Sequence, residues 1–156
     1  MKTKVFITVL LLLANIFGVS AQKDLFSKLS ENQNITTVTI TKALLNMVPA
    51  FIGNSMEGFE IGKLIDKLDR VDILTSNNKE ASRQMKATIE NHIAKSKTYE
   101  VLMTIKEETK NIAFYAEKNN NAFKSLIMVV KDAESSTLIR LKGNFTAEDI
   151  QGVINR

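Results

Sequence analysis

Residues 99–141, YEVLMTIKEETKNIAFYAEKNNNAFKSLIMVVKDAESSTLIRL, decide the fold. Tyr99, Val101, Met103 and Ile105 alternate with mostly polar partners, and Ile112, Phe114 and Ala116 do the same. That period of two belongs to half-buried strands. Residues 123–130 are apolar on both parities, as in a central strand covered on both faces. Residues 137–141 make a fourth run. The connections, residues 107–110, 117–121 and 132–136, are short and polar. A parallel crossover needs a dozen or more residues, so such gaps join neighbouring strands as antiparallel hairpins. The expectation is an α+β fold: a four-stranded antiparallel meander packed against helices, with one or two further strands available to extend it.

Upstream, residues 35–41 alternate and are β-branched, which predicts a strand. Residues 42–47 are helix-friendly, and Pro49, the one proline, should end or kink that element. Gly53-Asn54-Ser55 is a breaker. Ile61, Leu64, Ile65 and Leu68 then share one helical face, and residues 71–75 form a short strand. Ser76-Asn77-Asn78 supplies a turn and a helix cap. Residues 79–94 are the clearest helix, with Ala81, Met85, Ile89 and Ile93 as its apolar stripe. Leu25, Phe26 and Leu29 suit one short amphipathic turn. Beyond the meander, Gly143 is expected to close the last strand. Thr146 with Asp149 three residues on approximates a capping box for a final helix carrying Ala147, Ile150 and Val153. The order is β-α-α-β-α-β-β-β-β-α.

Residues 1–21 read as a signal peptide. Lys2 and Lys4 form a positive start, residues 5–19 an apolar run, and Val19-Ser20-Ala21 places small residues before a cut after Ala21. The apolar run is short of the ~20 residues that span a bilayer. No later stretch is long and apolar enough to span one. The domains expected are therefore 1–21 as leader and 22–156 as one α+β domain, located in the periplasm or secreted. Loss of Lys2 and Lys4 leaves 19 of the 21 basic residues against 17 acidic ones, a net charge of +2. The lysines are interleaved with Glu and Asp, so no basic stripe for nucleic acid forms. The absence of cysteine excludes disulfides, thiolate metal sites and cysteine nucleophiles.

The chemistry-bearing residues are few. His92 is the one histidine, and it lies one residue off the apolar stripe, as a partly exposed helix residue would. A serine triad would have to use it, and one histidine with no cysteine argues against a zinc site. Gly58, Gly62 and Lys63 resemble a phosphate loop until the detail is read: position 57 is Glu57 and position 64 is Leu64, where the pattern needs Gly and Ser or Thr. Asp66, Asp69 and Asp72 lack calcium-loop spacing and, with Lys67 and Arg70 among them, read as a solvated, self-neutralising face. Asn34-Ile35-Thr36 and Asn144-Phe145-Thr146 match the glycosylation pattern, which matters only in a eukaryotic secretory pathway. No catalytic, metal-binding or cofactor-binding residues are assigned.

Strand parity divides the meander into two faces. Val101, Met103, Ile105, Phe114, Ile127 and Val129 are expected to pack under the helices. Leu102, Tyr115, Leu126, Met128 and Val130 would occupy the other face, too apolar to stand in water. Either Leu44, Met47 and Phe51, or residues 25–29, fold across it, or it is a surface for self-association, a partner or lipid.

Residues 35–49, ITTVTITKALLNMVP, run a strand into TKALLNM, and residues 138–150 read LIRLKGNFTAEDI. With the leader and the size, these segments resemble the DUF4252 family, exported Bacteroidetes proteins of unknown function. The resemblance covers essentially the whole chain after the leader. It implies a Gram-negative envelope location and carries no catalytic residues to transfer. The function expected is a non-catalytic binding or interaction module of the cell envelope, its partner an envelope protein or a second copy. The alternative is a small envelope hydrolase whose carboxylates converge only on folding.

Overall fold

The computed structural model describes residues 24–47 and 61–154. The leader, Pro49, Phe51, the breaker at 53–55 and Gly58 lie outside the described residues. In chain order the elements are α1 (Leu25–Leu29), β1 (Thr36–Thr41), α2 (Lys42–Met47), a 3-10 helix (Ile61–Lys67), β2 (Leu68–Ser76), α3 (Lys79–Lys95), β3 (Tyr99–Lys106), β4 (Asn111–Asn119), β5 (Ala122–Lys131), β6 (Ser136–Phe145) and α4 (Ala147–Ile154). One antiparallel sheet holds six strands in the order β1-β2-β6-β5-β4-β3. β3 to β6 are sequential neighbours, as the short gaps dictate. The β1–β2 pair is added along β6.

Two segments depart from their local pattern. The helical face read at 61–68 stops at Lys67, is 3-10 rather than α, and hands Leu68 to β2, where it pairs with Gly143. β6 in turn does not close at Gly143 but runs on to Phe145. The two departures meet at the Leu68–Gly143 pair. A Cβ at Gly143 would collide with the Lys67 carbonyl oxygen and come within 2.8 Å of Phe145 Cζ. Only a glycine lets the end of the 3-10 helix lie against β6 where Leu68 and Gly143 pair.

Directly paired residues share a sheet face. On one face α1 and α3 cover Leu74, Leu138, Ile127 and Val129, using Phe26, Ala81, Met85 and Ile89. On the other, α2, the 3-10 helix and α4 bring Leu45, Leu64 and Ile150 together with Ile40, Val71, Ile139, Leu141 and Phe145. With helices on both faces, the central strands read as apolar on both parities. The α3 stripe is as expected, Ala81, Met85 and Ile89 buried and Ile93 half-buried.

The expected grouping of the meander residues needs correction. Phe114 pairs with Met128, and Tyr115 with Ile127, so these two neighbours sit on the faces opposite to those assigned from parity. A bulge between Val101 and Met103 adds one residue to β3. Val101 pairs with Tyr115 on the α3 face, whereas Met103 and Ile105 pair with Phe114 and Ile112 on the other. One extra residue or a one-residue slip flips every later side chain.

Both cap readings describe the observed ends. Asn78 Oδ1 accepts from the Ala81 amide at 2.9 Å to start α3. At α4 the box is reciprocal: the Thr146 amide donates to Asp149 Oδ2 at 2.8 Å, and the Asp149 amide donates to Thr146 Oγ1 at 3.3 Å. Lys67 Nζ reaches the same Asp149 oxygen at 2.7 Å and ties α4 to the 3-10 helix. Thr146→Ala should lower stability by about 1 kcal/mol, read as a shifted urea midpoint at unchanged slope.

Candidate functional site

The α3 face carries two polar rows near one end. In the first, Thr39, Asp72, Arg140, Ile127, Tyr115 and Val101 stand side by side across the sheet. In the second are Thr41, Arg70, Lys142, Ser125, Glu117 and Tyr99. Asp72 and Arg140 are buried in the strand runs VDIL and LIRL, 2% and 6% exposed. Arg140 Nε and Nη2 donate to Asp72 Oδ2 at 3.1 and 2.7 Å. Arg70 Nε and Thr39 Oγ1 donate to Asp72 Oδ1 at 2.7 and 3.0 Å. Arg140 Nη1 pairs with Asp24, just before α1, and its guanidinium lies 4.0 Å above the Phe26 ring. Burial pushes the Asp72 carboxyl up, but the hydrogen bonds from Arg140 and Arg70, the Arg140 charge and the Thr39 hydroxyl together hold it below the ordinary aspartate value.

Where α3 ends, a cleft of about 670 Å³ opens over the second row. Its walls include His92 from α3, Tyr99, Glu117, Lys124, Ser125, Arg140 and Lys142. The His92 ring meets Tyr99 edge-on with centroids 5.7 Å apart. Burial pushes the Tyr99 phenol well above its ordinary value. The Glu117 charge and the hydrogen bond that Tyr99 donates to Glu117 push it further, so the phenol stays a donor. Each carboxylate of the cleft is engaged by a cation: Asp24 by Arg140, Asp69 by Lys42 at 2.9 Å, Glu117 by Lys124 at 3.0 Å. Two groups stand apart from this pairing. Ser125 Oγ is buried and has no hydrogen-bond partner among the described residues. Its cross-strand neighbour Lys142 is exposed and makes no ion pair among them.

A family model described as "Domain of unknown function (DUF4252)" matches residues 26–153. The chain belongs to the DUF4252 family. None of the curated proteins matches it. The matched span takes in both polar rows of this DUF4252 domain and the cleft above them, apart from Asp24.

Of the residues proposed from sequence as an interaction surface, Leu102, Leu126, Met128 and Val130 lie half-buried on the face away from α3. Leu102, Leu126 and Met128 pack against the core formed with Leu45, Leu64 and Ile150. Tyr115 lies on the α3 face, half-buried beside the other core. The core that Leu102, Leu126 and Met128 pack against includes Leu45 and Ile150 of the C-terminal helix, whereas Leu44 and Met47 are exposed. The acidic trio at 66–72 also separates: Asp66 lies in the 3-10 helix, Asp69 pairs with Lys42, and Asp72 is buried against Arg140 instead of solvated. His92 is exposed, as its position off the stripe implies, yet it lines the cleft. The DUF4252 cleft escaped the sequence reading, although one signal was there: a charged residue inside a buried strand, in LIRL and in VDIL, needs a partner. Among the described residues no helix is long and apolar enough to cross a membrane.

Proposed function

We propose that this DUF4252 protein is an exported, non-catalytic binding module of the bacterial cell envelope. It is freed from its leader by a cut after Ala21 and acts in the periplasm or outside the cell through the cleft beside α3. The observation that carries the reading is the cleft itself. Its volume is that of a small-ligand site, about 300–1,000 Å³ in general. Its floor is a sheet row held by neighbours on both sides, which keeps the groups in place. The leader pattern and the lack of cysteine suit export without oxidative folding.

The rival reading, a carboxylate-based hydrolase, has Asp24, Asp69 and Glu117 to draw on. Glycoside hydrolysis would need two carboxylates facing each other across the substrate, whereas these three are each taken up by a cation. A photo-crosslinker installed at Lys124 in the native envelope should give a discrete adduct. The same group at Lys106, which does not line the cleft, should give none. Mass spectrometry of the recovered chain should read Gln22 at its N-terminus. No adduct at either position, or an intact Met1 in the membrane fraction, contradicts the proposal. Turnover of a substrate that Glu117→Gln abolishes would favour the hydrolase.

A further inference from the structure

Resting on the reading of this cleft as a binding site, we infer that it takes a small organic anion, with a carboxylate or phosphate group seated between Ser125 and Lys142. Two independent observations meet at that spot. The first is a missing partner. Ser125 Oγ is buried, 2% exposed, and unpaired among the described residues. A buried hydroxyl left without a hydrogen bond is costly, and folded proteins rarely keep one. An acceptor from a ligand satisfies it. Ser125 lines the open cleft, and rotation about its χ1 would carry the enclosed hydroxyl to a ligand seated there.

The second is a charge imbalance. Arg70, Lys124, Arg140 and Lys142 line the cleft against Asp24, Asp69 and Glu117. Glu117 is matched by Lys124, Asp24 by Arg140, Asp69 by Lys42 from outside the cleft, and Arg70 is spent on Asp72 and Thr39. Lys142 remains. It pairs with Ser125 in register across β5 and β6, and side chains opposite each other in this way start about 4.5–5.5 Å apart. From those neighbouring Cβ positions the flexible Lys142 ammonium and the Ser125 hydroxyl can converge on two oxygens of one carboxylate or phosphate, and bonds to a charged acceptor are the strong ones. The His92–Tyr99 pair, edge to face on the same wall, offers the rest of the molecule an apolar surface. The site therefore suits an anionic head on a small organic body.

The test is titration of the purified protein with sodium phosphate and, separately, sodium acetate, followed by amide shifts in heteronuclear NMR. Saturable shifts centred on Ser125 and Lys142 are expected, and whichever anion saturates first identifies the head group. Lys142→Gln, at an exposed position, should weaken binding about tenfold, the loss of one charge-assisted bond. Ser125→Ala should weaken it as well while leaving the fold intact, since it removes an unpaired hydroxyl. A merely orphaned serine would leave binding unmoved in that variant. Shifts that never saturate, that spread over surface lysines at large, or that ignore both variants overturn the inference. An adduct from the crosslinker at Lys124 without anion binding would sink this inference alone and leave the binding reading standing.

Discussion

Asp72→Asn should destabilise the protein by about 3–5 kcal/mol, the usual cost of removing one partner from a buried ion pair. The side chain changes shape hardly at all, so the loss is one of charge. Wild-type Asp72 accepts four hydrogen bonds, two of them from Arg140 on β6. Without the carboxylate, the guanidinium of Arg140 keeps Asp24 and its position over Phe26, but its buried side faces an uncharged amide. Urea unfolding at neutral pH measures the effect, and a change below about 1 kcal/mol would contradict it. The pH dependence follows from the sign of the shift. Folding lowers the Asp72 value below 3.8. Its contribution is then complete above that ordinary value and is lost as pH falls through the lowered, folded-state value. Wild type should lose this part of its stability in strong acid, and Asp72→Asn should titrate more flatly there. Replacing Asp72 and Arg140 together with apolar residues of similar volume should cost far less than either single change, because no charge is then stranded.

Gly143→Ala should destabilise by about 3 kcal/mol, near the upper end for overpacking. Its new methyl would overlap the Lys67 carbonyl oxygen and crowd Phe145 Cζ at 2.8 Å. Backbone cannot step aside as the tip of a flexible side chain can. Relief requires moving the 3-10 helix off β6, which breaks the Leu68–Gly143 pairing and disturbs buried Leu64. Intrinsic preference alone would give the opposite sign, since alanine in place of glycine usually gains about 0.5–1 kcal/mol. Gly152→Ala is the matched control. It sits in α4, where an added Cβ meets nothing within 4 Å, so that variant should gain the usual amount. Thermal or urea unfolding of the two variants should move in opposite directions, and a stabilised Gly143→Ala would contradict the close approach.

These two sites also mark where sequence reasoning stopped. The α3 helix was legible because Ala81, Met85 and Ile89 recur at helical spacing and Asn78 caps it. The meander was legible because its gaps are too short for crossovers. Both are local properties. Which residues face which helices was not, because the β3 bulge and the β4–β5 register are set by pairing partners rather than by spacing along the chain. The cleft was hidden for the same reason. Arg140 and Asp72 lie 68 residues apart and meet only once β2 lies against β6. Ser125, Lys142, Glu117 and Tyr99 are unremarkable polar residues on separate strands until the sheet aligns them in one row. Gly143 read as a terminator because a strand glycine usually weakens pairing, and the Lys67 backbone that requires it comes from far upstream.

The strand order has a consequence for how the molecule assembles. β3 to β6 are joined by hairpins whose ends meet at little entropic cost, so they can zip in sequence. The β2–β6 seam joins positions 62 residues apart at Thr75 and Thr137, and farther still at Leu68 and Gly143. Its closure must wait until the longer chain is gathered. The expectation is that this seam forms after the rate-limiting barrier and that its contacts act as a latch, so Thr75→Ala should speed unfolding in stopped-flow measurements and leave the folding rate unchanged. Contacts of that kind leave the speed of folding alone and govern how seldom the finished sheet comes open. In the proposed setting outside the cytoplasm, among proteases and away from cytoplasmic chaperones, that rarity of opening would be the durability that counts.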